Sequence, residues 1–113
     1  MRLLNIFAAL SGALALIMLV LVAHVLALEP ADADRLRLGA SMQLFAAAAG
    51  LAIANRAGRL NLVAGAMILG GAALFAGALY ALALMHAGAV LAPIGGVTLI
   101  AGWIILAFAK PGT

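Results

Sequence analysis

Cysteine is absent from all 113 residues. That excludes disulfides, thiolate metal sites and cysteine nucleophiles, and it leaves the redox compartment unread. Charge is scarce as well. Charged residues make up 8% of the chain, and only three of them, Glu29, Asp32 and Asp34, are acidic. No acid falls within a long apolar run, so a carboxylate-driven proton or cation carrier has no coupling group. This argues against a small multidrug transporter, which the chain otherwise matches in length. One Trp, one Tyr and six scattered basic residues do not make the basic, aromatic-lined face that binds nucleic acid, and that partner is excluded. Also missing is any polar stretch long enough to build a soluble domain.

What is present is apolar. Hydrophobic residues make up 69% of the chain, against about 45–50% in soluble domains. A soluble fold of this size could not bury so much apolar surface and still present a polar coat. A helix that crosses a bilayer needs about 20 apolar residues, with a range of roughly 17–25. Four runs qualify, at about 3–28, 38–54, 62–85 and 93–109. The last is closed by Lys110 and Pro111. The expectation is therefore an all-α, integral membrane four-helix bundle, a single domain over 1–113, with the lipid bilayer as its first partner. The first run resembles a signal peptide in carrying Arg2 ahead of apolar residues, but signal cores span only about 7–15 residues. A retained first helix is expected.

The connections are short: 29–37 holds most of the charge, 55–61 reads NRAGRLN, and 86–92 reads HAGAVLA. Asn61 is placed to cap the third helix, and Pro93 suits the first turn of the fourth. Four crossings put both termini and the 55–61 loop on one side. Arg2, Arg56, Arg59 and Lys110 lie on that side, and Arg35 and Arg37 on the other. Basic residues concentrate on the cytoplasmic side of membrane proteins, so both termini are expected in the cytoplasm, with the chain in a bacterial inner (plasma) membrane.

Lipid tails are as apolar as leucine, so close backbone contact and interhelical hydrogen bonds must hold such helices together. Small residues recur at spacings of three and four, which is one face of a helix. They form stripes at Ala66, Gly70, Ala73, Gly77 and Ala81 in the third run, at Gly39, Gln43, Ala47, Gly50 and Ala54 in the second, and at Gly95, Thr98 and Gly102 in the fourth. Gly70, Gly77, Gly95 and Gly102 are the expected packing glycines.

Four polar residues sit close to the outer ends of the runs: His24, Gln43, Tyr80 and Thr98. Counted from those ends, all lie roughly 6–8 Å inside the boundary. Ser41 and His86 lie nearer the surface on the same side. The plainest reading is interhelical bonding that keeps each polar group satisfied. A sharper one is a polar, proton-accepting pocket around His24, since an ionisable residue at depth is functional by default. A bis-histidine haem on His24 and His86 and a Ser41–His24 nucleophile pair are weaker alternatives. No cofactor or metal is expected.

The last third of the chain carries a resemblance. Phe75-Ala76-Gly77-Ala78-Leu79-Tyr80-Ala81-Leu82-Ala83-Leu84, then Pro93-Ile94-Gly95-Gly96, then Gly102-Trp103, resembles the YgdD-like family of small inner-membrane proteins (transmembrane protein 256, domain of unknown function 423). The pattern there reads F-x-G-x-L-Y-x-L-A-L, P-x-G-G and G-W. The first half departs from it. Ala23-His24 and Gln43 fit, but Leu19 and Val22 stand where the family has glycines, and Ala46 stands where it has a second histidine. The resemblance implies four helices over nearly the whole length and implies no biochemical activity. The expected role is non-catalytic: a structural or accessory membrane subunit that associates with other membrane proteins or with itself. The alternative is a small carrier or channel with a polar path around His24. An enzyme is the least favoured class, because no nucleophile–base–acid set is present.

Overall fold

A computed structural model gives the fold and describes residues 2–88 and 90–110. It is all helix and turn: α1 (Arg2–His24), α2 (Pro30–Ala54), α3 (Arg59–Met85) and α4 (Leu91–Phe108). Each helix is long and apolar enough to cross a membrane. Pro111, expected to close the last helix, lies outside the described residues.

The largest departure from the sequence reading is the start of α2. The charged stretch before residue 38, expected as a loop, forms the first two turns of the helix. Pro30 occupies the first turn, where its missing N–H costs nothing, and Asp32 sits near the positive end of the helix dipole. Arg35 donates to Asp32 at 2.9 Å and Arg37 to Asp34 at 3.5 Å, both one turn apart. Ala33, Leu36 and Ala40 pack with Met18 and Val22 of α1, and Asp32, one turn before Leu36 on the same face, is itself buried. These turns are amphipathic, and a reading that ends a helix at its first charge misses them. α1 correspondingly stops at His24, short of the expected 28. α3 begins earlier, at Arg59, and α4 begins at Leu91, with Pro93 still in its first turn.

α3 ends on His86, which adopts the left-handed conformation (φ 55°). The His86 N–H donates to the Leu82 carbonyl and the Ala87 N–H to that of Ala81, closing the last turn as a C-terminal cap does. Gly58, at φ 104°, is the N-cap residue just before α3. That backbone angle is open to glycine at little cost and to other residues only with strain.

The helices pack in chain order. α1 lies on α2 and α2 on α3, while α1 touches α3 lightly. α4 rests on α3 alone, with no backbone approach to α1 or α2 among the described residues. The Cα envelope is flattened, 47 × 25 × 18 Å. Two apolar clusters form the core. One holds Leu4, Ala8, Ala46, Ile53, Ile68, Leu69 and Ala72 near the ends carrying Arg2, Arg56, Arg59 and Lys110 (the basic end). The other holds Met18, Val22, Ala33, Leu36, Ala40 and Ala83 near the opposite, mixed-charge end. With Ala54 counted in the first, alanine supplies half of each cluster, so the backbones run close.

Glycine fixes the closest approaches. A methyl group on Gly71 would meet the backbone N of Leu99 at 2.6 Å, and one on Gly102 would meet the backbone N of Ile68 at 2.9 Å. The stripe expected on α2 is buried throughout: Gly39, Gln43, Ala47, Gly50 and Ala54 all face inward. Gly95 and Gly102 lie in the α3–α4 seam as expected. The stripe expected on α3 does not pack. Among the described residues, Gly70 and Gly77 have nothing beyond their own stretch of helix within 4 Å of where a side chain would begin; Ala66 and Ala73 are exposed beside them and Ala81 is half-buried. The packing glycine of α3 is Gly71, one residue from Gly70 and about 100° round the helix.

Candidate functional site

Between the two apolar clusters the core contains one polar contact. The Tyr80 hydroxyl donates to Oε1 of Gln43 at 2.7 Å, joining α3 to α2. Gln43 is buried at 5% exposure. The register explains how the two meet. Gly39 faces Ala76 and Leu79 and Gly50 faces Leu69, so Gln43 lies about one turn nearer the basic end than Tyr80. Helical side chains lean toward their own N-terminus, and α3 runs away from the basic end. The phenol therefore leans back to the level of Gln43. The ring packs against the Met18, Leu36 and Ala40 cluster.

The other two expected members are elsewhere. Gly12 opposes Ala47 and Ala8 opposes Gly50. Carried along the antiparallel pair, that register sets His24 level with Arg35, about 12 Å from the level of Gln43. His24 is exposed, at the last residue of α1. Thr98 misses in the opposite direction. Gly71 faces Leu99 and Gly95 faces Phe75, which sets Thr98 level with Ala72, about two turns deeper than Tyr80. Its hydroxyl donates to the Ile94 carbonyl of its own helix at 2.8 Å. The equal depths expected for the four residues fail for two of them because α2 starts at Pro30, eight residues before the expected 38, and because α3 runs past the level of Leu91, where α4 starts. Ser41 is partly buried and His86 is exposed at the end of α3.

A second polar knot, at the basic end, was not anticipated. Asn61 is 2% exposed. Its Nδ2 donates to the Ala57 carbonyl at 2.9 Å and to the Lys110 carbonyl at 2.8 Å, and its Oδ1 accepts from Arg56 Nη1 at 3.2 Å. Asn61 therefore does not cap α3, whose N-cap is Gly58 with no side-chain bond. It ties the α2–α3 turn to the end of α4. The sequence marks Asn61 as polar beside a turn, but its partner is a backbone carbonyl 49 residues away, which no side-chain pattern reveals.

Chemically, the Gln43–Tyr80 contact is a clasp. It joins an amide to a phenol, with no carboxylate or imidazole beside it. Among the described residues no three His, Cys, Asp or Glu side chains gather as a metal site would require.

Four apolar helices packed through glycine and alanine, with polar contacts used as ties, define a class: small all-α chains in which every helix could cross a bilayer. Within that class the chain belongs to the family described as a protein of unknown function (DUF423), whose model matches residues 21–96. The match holds Gln43, Tyr80 and Gly95, the clasp and one glycine of the α3–α4 seam. No curated protein and no solved structure matches the chain.

Proposed function

We propose that the chain is a multi-pass protein of the bacterial inner membrane, with both termini in the cytoplasm, acting as a non-catalytic structural or accessory subunit through lateral helix association. The observation that carries the reading is the outer surface between the two charged ends. Large apolar side chains point outward on every helix, among them Phe7, Phe45, Leu74, Val97, Ile100 and Phe108, and only hydrocarbon or another apolar helix satisfies such a surface. Attachment of α4 along one side adds to this. An apolar groove of about 590 Å³ stays open between α2 and α4, lined by Met42, Phe45, Ala46, Ala49, Leu99 and Trp103. The small-residue face of α3 at Gly70 and Gly77 is open too.

The charge asymmetry supports the orientation. The basic end has four cationic side chains and no acidic one, while both arginines at the other end are paired with aspartates. A carrier with a polar path along His24, Gln43, Tyr80 and Thr98 gains no support from residues at different levels, one of them bonded to its own backbone.

Native electrophoresis after extraction in a mild detergent tests the role. A species well above the 11.3 kDa chain, dissociated by a harsher detergent, is expected. A monomer in every mild detergent counts against the subunit reading. Retention in the supernatant after lysis and ultracentrifugation without detergent overturns the membrane placement itself.

A further inference from the structure

At the basic end the α2–α3 turn, the start of α3 and the end of α4 enclose an open cleft of about 290 Å³. Its lining includes Arg59, Lys110, Asn61 and Phe108. We propose that this cleft binds the phosphate of an anionic phospholipid headgroup, a proposal that rests on the membrane placement above.

Three observations carry it. First, the cleft has two cations and no counter-ion: neither Arg59 nor Lys110 has an acidic partner among the described residues, and every acidic side chain belongs to the opposite end. Basic clefts between helices on the cytoplasmic side are suited to such headgroups. Guanidinium offers phosphate a two-pronged donor, and ammonium adds a point charge. Second, the cleft is held in shape. Buried Asn61 bonds both the turn and the Lys110 carbonyl, so the backbones bearing the two cations are fixed relative to each other before any ligand arrives. Third, Phe108, 78% exposed, gives the rim an apolar side facing the acyl layer. A lipid offers that pairing of phosphate and hydrocarbon in one molecule, and a free phosphate offers only half of it.

The full chain is reconstituted into phosphatidylcholine vesicles containing a minor fraction of phosphatidylglycerol. Flotation reads insertion, and native mass spectrometry of the re-extracted protein reads which lipid is retained. Phosphatidylglycerol is expected to be retained well beyond its share of the bilayer. With each cation near the surface contributing about a five-fold preference, Arg59→Gln and Lys110→Gln each lower retention about five-fold and the double variant about thirty-fold. Arg35→Gln/Arg37→Gln, at the other end, leaves it unchanged. Two results overturn the proposal while leaving the membrane placement intact: inserted protein with no lipid preference, or a preference that survives in the Arg59/Lys110 double variant. Displacement of the lipid by millimolar inorganic phosphate assigns the cleft to the free anion and overturns the headgroup. Failure to float with the vesicles overturns the placement and the cleft together.

Discussion

Gly71 of α3 and Gly95 of α4 stand backbone to backbone. A methyl group on Gly95 would lie 2.7 Å from the Gly71 carbonyl oxygen, and one on Gly71 would lie 2.8 Å from that of Gly95. Because no backbone of α1 or α2 approaches α4 among the described residues, this seam and the Asn61 tie to the Lys110 carbonyl are what attach the last helix. Gly71→Ala should therefore cost about 1–3 kcal/mol, the usual range for forcing a methyl group into a filled space. Gly77→Ala meets nothing within 4 Å and gains helix propensity, worth up to about 1 kcal/mol. The two substitutions are chemically identical and should shift the thermal unfolding midpoint in detergent in opposite directions. A loss of stability on Gly77→Ala equal to that on Gly71→Ala would contradict the seam.

That contrast also shows what the sequence could and could not reveal. On α2 the stripe through Gly39, Gln43, Ala47 and Gly50 was legible because larger residues such as Phe45 and Leu51 mark the other side. On α3 small residues occupy several faces. Ala64, Gly65, Gly71, Ala72 and Ala76 are buried, while Ala66, Gly70, Ala73 and Gly77 are exposed. Spacing alone cannot choose between Gly70 and Gly71 when both belong to plausible stripes. The lengths of the four apolar runs were readable because hydropathy reports them directly. The first turns of α2 were not, since they combine the Asp32–Arg35 and Asp34–Arg37 pairs with the packing of Ala33 and Leu36 against Met18 and Val22 in one charged segment. Of the polar residues, Gln43 and Tyr80 were placed well enough to meet. His24 and Thr98 were misplaced because α2 begins eight residues before the expected 38 and α3 runs past the start of α4, neither of which hydropathy reports.

The clasp gives a double-mutant prediction. Tyr80→Phe removes the donor and leaves the buried Gln43 oxygen without its partner, and Gln43→Leu does the reverse. Each single variant should lose about 1–2 kcal/mol, since an orphaned polar group costs more than the bond is worth. Tyr80→Phe/Gln43→Leu should lose less than the two losses added, with a coupling of about 0.6–1.7 kcal/mol, the range found for bonds between helices in lipid. Strict additivity in a chemical-denaturation cycle would mean that the two side chains do not interact.

Asn61 invites a test by charge. Asn61→Ala leaves the carbonyls of Ala57 and Lys110 without their donor and should destabilise by about 1–3 kcal/mol. Asn61→Asp has almost the same shape but turns a donor into a second acceptor, so it sets a negative oxygen against those carbonyls. It should cost more than alanine does. The loss should appear locally as faster amide hydrogen exchange at Phe108 and Ala109, where α4 is tied down. Equal exchange in the native chain and both variants would show that Asn61 does not anchor that end.

The proposed orientation rests on a count of four basic side chains against two, and the count can be changed at the α2–α3 turn with the loss of one core contact, the Arg56 bond to Asn61. Arg59 is exposed on the α2–α3 turn and Arg56 is partly exposed beside it. Replacing both with glutamine leaves two basic residues at each end and removes the bias. A reporter enzyme that is active only outside the cytoplasm, fused after residue 113, should be silent on the native sequence and become partly active on Arg56→Gln/Arg59→Gln. Asp32→Asn/Asp34→Asn changes the net charge by the same amount at the opposite end. It should leave the reporter silent, because acidic residues contribute little to the rule that orients helices. A reporter that responds equally to both pairs would show that net charge, not the placement of arginine and lysine, sets how this chain is threaded.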